Sequence, residues 1–218
     1  SFEQALIESS RVLAVHGRIV PSTVANLRLD ARLKDGSEVH GESTISELEG
    51  EIERVSISPD GAEAYPLAVE ALAEAHLIAI GPGSLYTSIL PNLLVSGIAR
   101  AVRDSCALKM YVCNVATQKG ETEGYDVANH VDVLQRHTYT EIIDYVMAND
   151  NPIELGPPYL GQPVLTGSRP IKHAKIELGD LIDRERPVRH DSEKLAELIM
   201  DVYHRDRGGR ISFLTASR

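Results

Sequence analysis

Only two cysteines, Cys106 and Cys113, occur among 218 residues, and both stand among apolar neighbours. So few thiols exclude a disulfide framework and read as reduced core residues of a cytoplasmic protein. No apolar run is long enough to span a bilayer, and no signal-peptide pattern is visible. Basic residues are outnumbered: 22 Lys and Arg stand against 32 Asp and Glu, a formal net charge of -10. That balance excludes general nucleic-acid affinity, which needs a basic face, but not a small phosphorylated ligand, which needs only local donors. No His, Cys and Asp cluster has metal-ligand spacing, and neither internal repeats nor low-complexity segments occur. What remains is an ordinary globular composition, 43% hydrophobic and 25% charged, with enough length to bury one substantial core.

The chain is organised around Leu77-Ile78-Ala79-Ile80-Gly81-Pro82-Gly83-Ser84-Leu85-Tyr86-Thr87-Ser88. The apolar run reads as a buried strand. Gly81-Pro82-Gly83 ends it, because Pro lacks a backbone donor and Gly admits unusual dihedrals. A helix then starts, with the hydroxyls of Ser84, Thr87 and Ser88 at its head. A strand passing through a glycine turn into a helix N-terminus presents free N–H groups and a positive dipole end to an anion. A plain β–α turn with a Ser cap is the bland alternative.

Upstream, Phe2 to Leu13 reads as a helix with no strand before it, which suggests that an N-terminal part is missing. Val24 to Leu33, Glu38 to Glu42 and Glu51 to Ile57 alternate apolar and polar residues. Asp35-Gly36 joins the first two as a hairpin signal, so residues 24–57 form a small antiparallel unit. Pro66 to Ala75 is a helix, and Pro91 to Val102 a second, in which Gly97 calls for close packing or a kink. Lys109 to Cys113 is the next buried strand. This alternation of helix and strand predicts one α/β domain over residues 1–218, with a mainly parallel sheet, flanking helices and the antiparallel unit near the N-terminus.

The strand at Cys113 runs into Asn114-Val115-Ala116-Thr117-Gln118-Lys119-Gly120-Glu121-Thr122, dense in amide, hydroxyl and carboxylate groups. Ligands in open α/β sheets sit beyond the carboxyl ends of strands. Two successive strands therefore deliver polar loops to one edge. Asp126 to His137 is a helix with His130 as a polar candidate, and Glu141 to Met147 a further strand. Tyr159 to Val164 and Ile171 to Leu178 alternate weakly. Asp191 or Ser192 caps a helix through Ile199. Arg189 is placed to reach a phosphate through two guanidinium donors, the alternative being an ion pair with Asp191 or Glu193. Residues 204–218 read as a loose tail.

The stretch Gly81 to Ser88, with Pro91-Asn92-Leu93-Leu94, resembles the signature of the gluconeogenesis factors. These YvcK-like proteins belong with the CofD-like 2-phospho-L-lactate transferases. Asn114 to Thr122 with His130, Gly17 to Thr23, and Arg189-His190-Asp191 look like further blocks of that family. The resemblance implies a Rossmann-like fold that binds a nucleotide or nucleotide sugar such as UDP-N-acetylglucosamine. It also implies a regulatory role in central carbon metabolism, cell shape and wall synthesis. The implied ligand-binding set is Gly81, Gly83, Ser84, Thr87, Asn114, Thr117, Glu121, Thr122, Tyr159 and Arg189, with Tyr159 stacking on a base or sugar and Arg189 on the diphosphate. No catalytic residue, cofactor or nucleic-acid partner is implied, and a homo-oligomer is open. The alternative is a phospholactyl transferase with Mg2+, in which Glu121 holds metal or acts as base and His130 assists. Within that resemblance, Gly81-Pro82-Gly83-Ser84-Leu85-Tyr86 favours the regulatory branch. The triple-glycine loop that opens family members does not occur in this sequence.

Overall fold

The computed structural model describes residues 17–45 and 50–215, with side chains described through residue 208. The helix expected over Phe2 to Leu13 lies outside the described residues. The small antiparallel sheet comes first: β1 (Arg28–Leu33), β2 (Glu38–His40) and, after the single helical turn α1 (Glu42–Ile45), β3 (Ile52–Ser58), in the order β2-β1-β3. Gly36, at a φ of 88°, lets Asp35-Gly36 reverse the chain between β1 and β2. Alternation then sorts the residues: Leu29, Ala31, Leu33, Ile52 and Val55 are buried, while Arg32 pairs with Glu53 in solvent. The first strand starts at Arg28 rather than Val24.

The main sheet is parallel throughout. β4 (Leu77–Ile80), β5 (Leu108–Val112), β6 (Tyr145–Asn149) and β7 (Lys175–Gly179) lie side by side in chain order. The helices between and around them are α2 (Pro66–Glu74), α3 (Leu90–Leu94), α4 (Ser96–Asp104), α5 (Val127–His137) and α6 (Ser192–Thr215). Alternating strand residues feed two cores. Ile78, Ile80, Tyr111, Val146 and Ala148 pack with α4, α5 and the antiparallel sheet. Leu108, Met110, Val112, Tyr145 and Met147 pack with α6. This is the mainly parallel α/β arrangement with an antiparallel excursion that the patterning predicts, and the Rossmann-like fold that the resemblance implies.

Three further boundaries differ from the sequence reading. The helix expected over Pro91 to Val102 is broken at Val95, and the segments on either side are bent by 82°. Val95 is extended and fully buried, so packing of its side chain overrides local helix preference. Gly97 follows because a Cβ there would lie 2.6 Å from the Cβ of Ala64. Glu141 to Asp144 is a turn rather than strand, since the Asp144 carboxylate accepts the Lys109 N–H at 2.8 Å. The final helix, α6, extends through Thr215, into the segment expected as a tail. Cys106 is exposed, and only Cys113 is buried. Among the described residues no single helix is long and apolar enough to cross a membrane.

Candidate functional site

Beyond β4, the chain must turn sharply against the end of β5. Gly81 does this at a φ of 92°, and a Cβ there would press on the Val112 carbonyl at 3.1 Å and Ile89 at 3.2 Å. A short π-helical segment, Leu85–Ile89, follows. Its N-terminus is not open to a ligand. Thr87 Oγ1 donates to Glu121 Oε1 at 3.0 Å, and the Tyr86 and Thr87 amides favour the same carboxylate. The protein's own carboxylate thus takes the place that the sequence suggests for a phosphate. Burial raises the Glu121 pKa above the usual carboxylate value, while Thr87 and the two amides oppose the rise. Glu121 is 7% exposed, and its Oε2 has no hydrogen-bond partner among the described residues.

Ser84 does not cap that segment. Its hydroxyl accepts from Gln118 Nε2 at 2.6 Å, and Gln118 Oε1 accepts from Asn114 Nδ2 at 3.3 Å. The two β–α loops are therefore stitched side by side. Thr122 Oγ1, fully buried, accepts the Gln118 N–H. Thr117 is used as a clamp: its N–H donates to the Gln162 carbonyl at 2.8 Å, and its Oγ1 accepts the Gln162 N–H at 2.9 Å.

The third wall comes from the C-terminal third. The Asp183 carboxylate organises a turn by accepting the N–H groups of Glu185 and Arg186. His190 pairs with Ile182 in a β-bridge, and its Nε2 donates to the Cys113 carbonyl at 3.1 Å. Burial lowers the His190 pKa, so the ring is neutral at pH 7. The Asp191 carboxylate caps α6 by accepting the N–H groups of Glu193 and Lys194. The ion pair from Arg189 to Asp191 or Glu193 does not form. Arg189 is exposed and makes no ion pair among the described residues.

These walls enclose a cavity of about 730 Å³. Gly83, Ser84, Asn114, Thr117, Gln118, Arg189 and His190 supply its polar side, and Val115, Val188, Leu195, Ala196 and Ile199 its apolar side. Of the sequence candidates, Gly83, Ser84, Asn114, Thr117 and Arg189 converge here. Gly81, Thr87, Glu121, Thr122 and Tyr159 do not line the cavity. The first four support the loops from behind, and Tyr159 is half-buried on the neighbouring segment. His130 is 0% exposed, donates Nδ1–H to the Asp126 carbonyl, and meets the Tyr125 ring edge-on at 5.6 Å. Neither Glu121 nor His130 lines this cavity. Among the described residues no carboxylate lines the cavity, and no group of three or more His, Cys, Asp or Glu could hold a metal ion. That donor set does not fit Mg2+, which is held through carboxylates.

Sequence reasoning missed Gln118 as the link between the loops, and it missed His190, Leu195 and Ile199 as lining. Gln118 lay inside the polar loop and could have been found. Leu195 and Ile199 share a helix face that ordinary core packing explains equally well, so only the docking of α6 reveals them.

Residues 1–206 match the family model described as 2-phospho-L-lactate transferase CofD. The gluconeogenesis factor of Bacillus subtilis is 40% identical over 209 residues, covering 92% of this chain and 66% of that protein. A protein of Thermoanaerobacterium thermosulfurigenes carrying the gluconeogenesis-factor name is 42% identical over 214 residues, 93% of this chain and 66% of its own length. The crystal structure of a UPF0052-family protein from Bacillus halodurans superposes with a TM-score of 0.82 at 33% identity, over 91% of this chain and 67% of that one. The chain spans about two-thirds of the length of these relatives.

Proposed function

The chain belongs to the 2-phospho-L-lactate transferase CofD family, beside the gluconeogenesis factors, and from that premise we propose that it is a regulatory protein that binds a nucleotide sugar in the cavity between the two β–α loops and α6. The observation that carries this reading is Arg189. A guanidinium with no ion-pair partner among the described residues, at a cavity whose other polar groups are neutral, favours a diphosphate, which it can grip through two donors. The Ser84–Gln118–Asn114 row offers both donors and acceptors at fixed positions, as sugar hydroxyls require. Val188, Leu195, Ala196 and Ile199 offer an apolar wall for the face of a ring. The role in central carbon metabolism and cell shape follows from the family resemblance, with UDP-N-acetylglucosamine as the ligand to test first.

Calorimetric titration with UDP-N-acetylglucosamine checks this. Binding is expected, and Arg189→Ala is expected to weaken it by roughly 10- to 100-fold, the loss of a charge-assisted contact. Equal affinity in that variant would remove Arg189 from the site. No binding heat and no shift in melting temperature at saturating ligand would reject the reading.

A further inference from the structure

We propose that the free edge of β7 is an isologous contact through which two copies of this chain join their sheets. β7 ends the sheet, and among the described residues no strand pairs with its outer side. The Lys175 N–H donates to the Asp144 carbonyl, and the Gly179 carbonyl accepts from Asp150. Residues 175, 177 and 179 thus direct their backbone groups at β6. By the alternation of the strand, Ile176 and Leu178 direct theirs outward, as does the carbonyl of Ala174 in the bend before β7. No proline or bulge blunts this edge, although protected edges commonly carry one.

The side chains divide just as regularly. Ile176 lies opposite Val146, and Leu178 opposite Ala148, on the face shared with α5. No helix of the long β6–β7 connection covers them there, and they remain 38% and 45% exposed. Lys175 and Glu177 lie on the α6 face, where Lys175 stands over the Tyr145 ring and Glu177 pairs with Arg205.

A second copy fits this pattern in one register. An antiparallel pairing about a two-fold axis through Ile176 sets Ile176 against its own counterpart and Leu178 against Ala174. Those are the outward-directed residues, so facing pairs can exchange both backbone hydrogen bonds. On one face the pairing joins Ala174, Ile176 and Leu178 of both copies into an apolar strip. On the other it places Lys175 of each copy against Glu177 of the other. Sliding by one step in either direction would instead oppose Lys175 to Lys175 or Glu177 to Glu177, which cross-strand charge repulsion disfavours. Charge complementarity of the strand with itself therefore selects both the occupant and the register.

Sedimentation of the 218-residue chain tests this. Wild type is expected at twice the 23.8 kDa chain mass. Ile176→Pro is expected to be monomeric with unchanged circular dichroism, because it removes an outward N–H and none of the β6–β7 ladder. Lys175→Glu alone and Glu177→Lys alone each place like charges across the axis and should weaken the dimer about tenfold or more. An equimolar mixture of the two variants places opposite charges at both pairs and should restore it. A merely structural defect in either variant would not be rescued by mixing. A monomeric wild type would overturn the proposal, as would a dimer that survives Ile176→Pro or variants that do not recover on mixing.

Discussion

Gly161→Ala is expected to destabilise the protein by about 2–4 kcal/mol and to lower its melting temperature on the order of 5–10 °C. An added Cβ would stand 2.2 Å from the Thr117 carbonyl oxygen and 3.2 Å from its carbonyl carbon. Both are backbone atoms in a segment held from two sides. Thr117 exchanges hydrogen bonds with Gln162, Ala116 bridges Pro163, and the Val164 N–H donates to the Val115 carbonyl at 3.0 Å. Relief of the clash has to break this ladder or push Asn114 to Gln118 out of place. The same substitution should therefore also abolish nucleotide-sugar binding, although residue 161 does not line the cavity. Gly156→Ala is the control: a Cβ there has nothing within 4 Å, and its melting temperature should stay near that of wild type. Equal melting temperatures for the two variants would show that the segment yields freely, which the ladder does not allow.

Acidification is expected to lower stability as the pH falls from 7 to 5.5. His130, His137 and His190 all have lowered pKa values, each chiefly because burial penalises the charged ring. His137 shows the reason most directly. Its Nδ1–H donates to the Val133 carbonyl at 2.7 Å, and its Nε2 accepts the Val55 N–H at 3.0 Å. Protonation at Nε2 would turn an acceptor toward a donor and break the tie between α5 and the antiparallel sheet. Unfolded imidazoles take up protons near pH 6.5, whereas the folded rings resist until lower pH. Unfolding in that window absorbs protons, so stability is full above about pH 6.5 and falls below it, by up to about 1.4 kcal/mol per pH unit for each ring. Glu121 acts in the opposite direction, because its raised pKa makes the folded state hold a proton that the unfolded chain has lost. It offsets one group against three. Urea midpoints across this range check the sign, and His137→Gln, which keeps a donor and an acceptor but does not titrate, should flatten the slope. A midpoint that is constant or rises on acidification would contradict the assignment.

Much of the site was visible locally. The apolar runs Leu77 to Ile80 and Lys109 to Cys113 could only be buried strands, and the glycines and amides after them could only be loops at one edge. Which of those polar groups remain available could not be read in the same way. Thr87 meets Glu121 34 residues away, and Thr117 meets Gln162 45 residues away. A hydroxyl looks alike in sequence whether it faces a ligand or a partner brought by folding. Glu121 was a candidate by type and Tyr159 by resemblance, and the packing of neighbouring segments, not their chemistry, decides that they stand behind or beside the cavity.

By itself, then, the sequence determined the fold class, the two polar loops and the family, because strand periodicity, turn residues and short motifs are properties of neighbouring positions. Tertiary structure alone decided the break at Val95, the internal use of Thr87, Thr117, Glu121 and Thr122, the apolar wall from α6, and the isolation of Arg189. Each of these depends on how donors, acceptors and volumes are matched across the fold. Local backbone preference carries no information about a partner that arrives from a distant part of the chain.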